Sequence, residues 1–198
     1  MRSVENIIEE IKELIEKYKV DEIQFIDDNL TCDKTRAKEL FRQLKQFNLH
    51  WCTPQGLMIN TLDEEMIKLM AESGCYQISI AVESGSERVR REIIRKTIPS
   101  KEKVKELIDI CHNNGIQVHG FFITGLLRET REEIFQTLNY PFEVGFDSVV
   151  FSIASPLPGS ELYHEVLHKG YISNETNTIT DFRTGEIRIP KDSSDYYG

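Results

Sequence analysis

One carboxylate in the chain lies where a buried strand is expected to end. Residues 76–82 alternate β-branched residues with small or polar ones, which is typical of a strand with one apolar face. Glu83 follows directly, and Ser86 is a good N-cap for a following helix. Ligands of parallel α/β proteins bind at the carboxyl ends of the strands, so Glu83 is a candidate to bind a diol, an ammonium group or a metal. The alternative is a solvated turn residue.

A second group of polar residues follows the strand predicted at residues 22–26. Asp27, Asp28 and Asn29 come directly after it. Two adjacent acids cannot both be buried unpaired, so a cationic partner is expected there. The alternative is a solvated acidic turn, or a cap for the helix that begins at Asp33.

These candidate residues require a regular scaffold of alternating helices and strands. Apolar periodicity predicts five strands, each separated from the next by a helix, and this pattern indicates parallel strands with right-handed crossovers. An open doubly wound sheet and a (β/α) barrel both fit, and the polar residues at four strand ends favour the barrel. The predicted strands are 22–26, 49–53, 76–82, 116–124 and 147–153, and the predicted helices are 4–18, a segment after Asp33, 61–73 with Thr61 and Glu64 as a capping box, 100–114, 130–144 and 160–168.

Composition narrows the class of protein. The 198 residues carry a net charge of −9, which argues against a nucleic-acid interface, and no apolar run approaches a membrane span. Four separated cysteines, Cys32, Cys52, Cys75 and Cys111, indicate free thiols in a reducing cytoplasm. No histidine shows ligand spacing, so no metal ligand is assigned. The polar composition of residues 173–198 indicates a tail or connector after a domain spanning 1–172.

Several stretches together resemble the radical S-adenosylmethionine family, in the branch whose members often carry a cobalamin-binding domain. The resemblance covers about residues 2–172, and its most specific parts are AVESGS and PLPGS in this order and spacing; the others are FIDDN, WCTPQG and GIQVHGFFITG. The resemblance implies a partial TIM-type (β/α) barrel of five parallel strands with helices outside. It also implies the core domain of an enzyme that cleaves S-adenosylmethionine reductively to start radical chemistry.

The chain departs from this family in two places. The CxxxCxxC triplet that holds the family's 4Fe–4S cluster is absent, so we expect the chain to begin after the first strand and cluster loop of its parent. The 4Fe–4S cluster, and cobalamin if it is used, are then expected in the full-length parent only. Where the family commonly has GxPGET, the chain has Gly125-Leu-Leu-Arg-Glu-Thr130, which alters the loop near the cofactor.

The resemblance also implies roles for individual residues. Glu83, with Ser84 beside it, matches the acid that binds the ribose hydroxyls of S-adenosylmethionine, and the segment 27–29 matches the contact to the methionine ammonium. Lys96 matches a basic position of the family, although a lone lysine is more often solvent-facing. Around the adenine the matching residues are Gly125, Ser155 and Pro156, within 120–125 and 155–159.

Two further interpretations stay open. Instead of part of a radical enzyme, the chain could be a non-catalytic fragment that binds a nucleoside weakly or binds nothing. It could also be an ordinary (β/α)-barrel hydrolase or lyase, which would need Asp27 or Asp28 as its general base. The sequence does not identify the substrate. A strand at 22–26 with no neighbour on one side would template pairing, so self-association through that edge is expected.

Overall fold

Five parallel strands, in the order β1-β2-β3-β4-β5, form one sheet within the part of the chain that the structure describes. The computed structural model describes residues 2–172, so the predicted tail at 173–198 lies outside the described residues. The strands are β1 Glu22–Gln24, β2 His50–Leu57, β3 Cys75–Glu83, β4 Gln117–Thr124 and β5 Ser148–Ile153. The helices are α1 Val4–Tyr18, α2 Lys34–Leu44, α3 Glu64–Glu72, α4 Lys101–Asn113, α5 Arg131–Val144 and α6 Glu161–His168.

The apolar face of the sheet is covered by the helices. Ile78, Ile80 and Val82 on β3 are fully buried and belong to one core with the inner faces of α1 to α5. Trp51 on β2 stacks on Phe41 of α2, with ring centroids 5.1 Å apart. The alternate side chains of each strand therefore face the opposite side, and the predicted arrangement of five parallel strands with helices outside is confirmed.

Two strands differ in length from the prediction. β2 continues through the Pro54-Gln-Gly segment, with a register shift against β3 between Thr53 and Leu57 that absorbs the proline. Gly56 has φ +100°, and a Cβ at this position would lie 3.5 Å from the Phe121 ring. β1 ends at Gln24 rather than at residue 26, and it pairs with β2 alone among the described strands.

The cap of α3 also differs from the prediction. Thr61 ends a 3₁₀ turn, Ile59–Thr61, and does not cap the helix. Asp63 is the N-cap, because its Oδ1 accepts a hydrogen bond from the Met66 amide at 2.9 Å while its other oxygen is held by Lys34 at 3.1 Å. The capping box predicted from Thr61 and Glu64 is therefore wrong by two residues.

Among the helices of residues 2–172, not one combines the length and the apolar character needed to cross a bilayer.

Candidate ligand-binding site at the carboxyl end of the sheet

Glu83 ends β3 in an unusual backbone conformation. Its φ is +72°, in the left-handed region that disfavours residues with a side chain, and the pairing of β3 with β4 shifts register between Ala81 and Glu83. Its side chain is only 27% exposed and accepts a bond from Lys96 Nζ at 3.0 Å. Glu83 is thus a held carboxylate at a strand end, and the solvated-turn alternative does not describe it.

Lys96 reaches Glu83 because of an irregular helix. The chain after the β3 loop forms a π-helix, Val89–Ile94, which ends at Arg95 with φ +61°. The Lys96 amide then donates to the Arg90 carbonyl at 2.8 Å, which turns the lysine back toward the strand end. Single π turns of this kind are frequent at functional sites. The expectation of a solvent-facing Lys96 is wrong, since the side chain is 25% exposed and paired with Glu83.

The small residues after Glu83 rest on α5 through one hydroxyl. Thr137 Oγ1 accepts from the Gly85 amide at 3.0 Å, shares a bond with Ser84 Oγ at 2.9 Å, and donates to the Glu133 carbonyl at 2.9 Å. This uses the one proton and both lone pairs of the threonine, so the Ser84 hydroxyl is the donor. A Cβ on Gly85 would lie 2.3 Å from the Gln136 carbonyl oxygen, so only glycine lets the loop approach the helix so closely.

A buried acid of α5 completes this attachment. Glu133 accepts from Arg88 through both of its oxygens, at 2.7 and 2.6 Å, and from Ser86 Oγ at 3.0 Å. The same side chain accepts from the Thr130 amide at 2.9 Å, and Arg88 donates onward to the Arg128 carbonyl at 2.7 Å. The Arg88 guanidinium lowers the pKa of Glu133 to about 2. The loops after β3 and β4 are therefore tied to one carboxylate.

The loop after β4 forms its own turn without the Pro-Gly of the family. Glu129 Oε2 accepts from the amides of Gly125 and Leu126 at 2.7 and 3.2 Å, and Gly125 and Arg128 take positive φ values of 79° and 68°. Glu129 is 5% exposed, and burial raises its pKa. A carboxylate within the loop thus fixes the turn where the family's Pro-Gly pair is missing.

Ser155 and Pro156 lie at the end of the neighbouring strand. The Ala154 amide donates to the Thr124 carbonyl at 2.8 Å, which joins the ends of β4 and β5. A Cβ on Gly125 would lie 3.4 Å from Ile153 Cγ2. Ser155 and Pro156 are half-buried directly after this contact. The structure therefore brings these two residues and Gly125 to one edge, with Glu83 on the adjacent strand.

The acidic segment after β1 is different. Asp27 and Asp28 are exposed and form no ion pair with any residue in the range 2–172. Asn29 is half-buried, and its Oδ1 accepts from Thr31 Oγ1 at 3.2 Å. The two acids do not require a cationic partner, because neither carboxylate is buried. Asp33 caps α2 with its own side chain, so the acidic pair is not needed as a cap.

The cysteines do not form a metal site among the described residues. Residues 2–172 contain no cluster of three or more His, Cys, Asp or Glu side chains that could hold an ion. Burial raises the pKa of the Cys111 thiol to about 12 and that of Cys75 well above its ordinary value, which keeps both protonated. A 4Fe–4S cluster is held by thiolates, so these residues do not fit one.

Comparison with known proteins identifies the family. The Radical SAM superfamily profile matches residues 1–140. Cytidylyl-2-hydroxyethylphosphonate methyltransferase from Streptomyces wedmorensis is 40% identical over 196 residues, covering 96% of this chain and 36% of that protein. An uncharacterized methyltransferase from Pyrococcus horikoshii is 34% identical over 161 residues, covering 81% of this chain and 35% of that protein.

Solved structures agree on the fold. The radical S-adenosylmethionine methyltransferase TsrM from Kitasatospora setae, solved with cobalamin and a 4Fe–4S cluster, superposes with a TM-score of 0.74 at 17% identity, over 85% of this chain and 34% of that one. Coproporphyrinogen III oxidase from Escherichia coli gives 0.60 at 15% identity, over 80% and 39%. The partial TIM-type barrel is confirmed, and the chain spans about a third of the length of the curated relatives it matches. The chain belongs to the Radical SAM superfamily.

Proposed function

We propose that this chain forms the S-adenosylmethionine-binding part of a radical enzyme, with Glu83 accepting both ribose hydroxyls. The observation that carries the proposal is the Glu83 carboxylate itself. It ends β3 in a left-handed backbone conformation and is held by Lys96 at 3.0 Å, while the loop behind it is fixed to α5. A carboxylate can take both protons of a cis-diol in charge-assisted bonds, and a fixed loop loses little entropy on binding.

The neighbouring strand ends suggest where the adenine and the methionine end of the ligand would bind. Gly125 directly follows β4, and Ser155 and Pro156 follow β5, on one side of β3, where they would contact the adenine. The segment 27–29 lies on the other side, two strands away at the end of β1, where it would meet the methionine end. The exposed Asp27 and Asp28 carboxylates are free to accept an ammonium group.

Methyl transfer is the reaction that the relatives support best. Both curated relatives above are methyltransferases by name, and so is TsrM. We therefore propose that the protein that carries this chain cleaves one S-adenosylmethionine reductively to methionine and a 5′-deoxyadenosyl radical, which takes a hydrogen atom from a small-molecule substrate and becomes 5′-deoxyadenosine. The methyl group that replaces this hydrogen comes from a second S-adenosylmethionine, which leaves as S-adenosylhomocysteine. A 4Fe–4S cluster supplies the electron in this chemistry and cobalamin carries the methyl group. Residues 2–172 do not fit the cluster, so we assign both groups to other parts of the protein and derive no step through them.

The β1 edge supports a proposal about assembly. Among the described strands, β1 pairs with β2 alone, and a cavity of about 460 Å³ lies between β1 and α1. Ile7, Ile11 and Phe25 line this cavity. An uncovered edge beside apolar side chains templates pairing with another strand, so we propose that the chain self-associates through β1. We also propose a cytoplasmic location, which the reduced thiols of Cys52, Cys75 and Cys111 support.

Turnover tests the proposed reaction. The protein that carries this chain would be reduced anaerobically with methyl-labelled S-adenosylmethionine, and 5′-deoxyadenosine and labelled product would be quantified. We expect Glu83→Gln to reduce both, while Glu106→Gln, in an exposed pair with Lys103 on α4, leaves both unchanged. Nucleoside binding without any turnover would favour the non-catalytic alternative.

A further inference from the structure

A second cavity lies behind the Glu83 loop. It measures about 460 Å³ and opens between the π-helix, the start of α4 and α5. Its lining includes Arg90, Arg91, Lys96, Ser100, Lys101 and Tyr140. We call it the Arg90 cavity. The ligand proposed above does not need it.

Arg90 is a buried cation without an acidic partner. The residue is 8% exposed, and its Nη1 donates to the Ser84 carbonyl at 2.6 Å. No carboxylate of residues 2–172 forms an ion pair with it. A guanidinium has five N–H donors, and burying one without a counter-charge is costly. The Tyr140 ring, 5.8 Å from the guanidinium carbon, compensates only part of this charge.

Tyr140, which also lines the cavity, carries a second unused donor. The residue is 3% exposed, and its hydroxyl is buried with no hydrogen-bond partner among the described residues. Buried tyrosine hydroxyls usually find a partner, so this orphan calls for an explanation. Burial raises the pKa of Tyr140 to about 12, so the hydroxyl keeps its proton.

The remaining charges leave Arg90 as the available cation. Four basic residues line the cavity, Arg90, Arg91, Lys96 and Lys101, against two acidic ones, Glu87 and Glu102. The other three basic residues already have carboxylate partners: Arg91 with Glu87, Lys96 with Glu83, and Lys101 with Glu143. With these pairs counted, Arg90 and Glu102 are the lining charges without an ion pair among residues 2–172; Glu102 is exposed, whereas Arg90 is buried.

We propose that the Arg90 cavity binds an oxyanion, the phosphate or carboxylate group of a small metabolite, through the Arg90 guanidinium and the Tyr140 hydroxyl. An oxyanion would supply both the missing counter-charge and the missing acceptor. Because Arg90 also holds the Ser84 carbonyl, the bound group would lie directly behind the loop that carries Glu83. This site is independent of the proposed reaction.

Calorimetric titration of the chain with inorganic phosphate, and separately with acetate, at constant ionic strength tests the proposal. We expect saturable binding of at least one of the two ions, and the tighter one identifies the group. Arg90→Met should weaken it by about tenfold or more, since a charge-assisted bond is lost. Lys105→Met, which removes an exposed charge paired with Asp109 on α4, should leave it unchanged.

Tyr140→Phe tests the site without destabilising the fold. The hydroxyl has no partner to lose within the described residues, so without anion the melting temperature should stay the same or rise. Anion affinity should nevertheless fall by about threefold or more, because one neutral donor is lost. The proposal is overturned if the unaltered chain shows no saturable binding of either ion, or if Tyr140→Phe binds both as tightly as the unaltered chain.

Discussion

The carboxylates at the carboxyl ends of β3 and β1 lie in opposite environments. At the β3 end, Glu83 is ion-paired to Lys96, and the loop after it is fixed to α5 by hydroxyls and a buried acid. At the β1 end, Asp27 and Asp28 are exposed and follow a strand of three residues. The β3 end is organised before a ligand arrives, whereas the β1 end is not. With the proposed ligand, this difference predicts that recognition by residues 2–172 is concentrated at the ribose and adenine.

The largest expected effect comes from Glu133, which holds the β3 end together. Glu133→Ala removes the buried carboxylate that Arg88 and the Ser86 hydroxyl share, and we expect a loss of about 3 kcal/mol of unfolding free energy. Glu143→Ala on the same helix removes an exposed ion pair with Lys101 and should cost at most about 1 kcal/mol. Chemical denaturation of both variants checks the difference. Equal losses would show that the β3 end is not specially fixed.

A somewhat smaller effect is expected from Gly85. A Cβ there meets the Gln136 carbonyl oxygen at 2.3 Å, and backbone cannot move aside cheaply. Gly85→Ala should therefore cost about 1–3 kcal/mol and displace the loop that carries Glu83. Gly115→Ala is the control, because its Cβ meets nothing within 4 Å although φ is +75°. That variant should cost about 1 kcal/mol from the backbone conformation alone, with ligand binding intact.

The β3 end should also respond to acid. The folded pKa of Glu133 is about 2, below the ordinary 4.5, so its contribution is complete above pH 4.5 and is lost as the pH falls toward 2. The difference in unfolding free energy between the unaltered chain and Glu133→Gln should therefore shrink across this window. Denaturation at a series of pH values measures it. A difference that stays constant would contradict the charged pair with Arg88.

The smallest effect is expected at the β1 end. Asp27→Asn and Asp28→Asn each remove an exposed charge that has no ion pair among residues 2–172, so the unfolding free energy should change by less than about 0.5 kcal/mol. Thermal denaturation checks this. A loss comparable to that of Glu133→Ala would remove the contrast between the two ends.

The sequence predicted the elements and strand ends well because these depend on local patterns. The alternation through Ile78, Ile80 and Val82 predicted β3, and the position of Glu83 followed from it. The Lys96 contact was missed because it depends on a π-helix that ends in a left-handed residue, for which no periodic signal exists.

The attachment of the loop to α5 was missed for a related reason. Thr130 and Glu133 form a capping box that the spacing could have shown. The other partners of Glu133, Ser86 and Arg88, lie 47 and 45 residues away in the sequence. Such contacts follow from the crossover geometry between β3 and α5, and a single sequence does not show them.

The role of Glu83 is tested most directly by calorimetric titration with 5′-deoxyadenosine and with its 2′-deoxy analogue. The unaltered chain should bind the 2′-deoxy analogue about tenfold more weakly or worse, because one charge-assisted bond from the ribose is lost. Glu83→Ala should bind both nucleosides weakly and equally, since it has no carboxylate to distinguish them. If Glu83→Ala keeps both the affinity and the preference for the intact ribose, Glu83 is not the ribose-binding acid and the account fails.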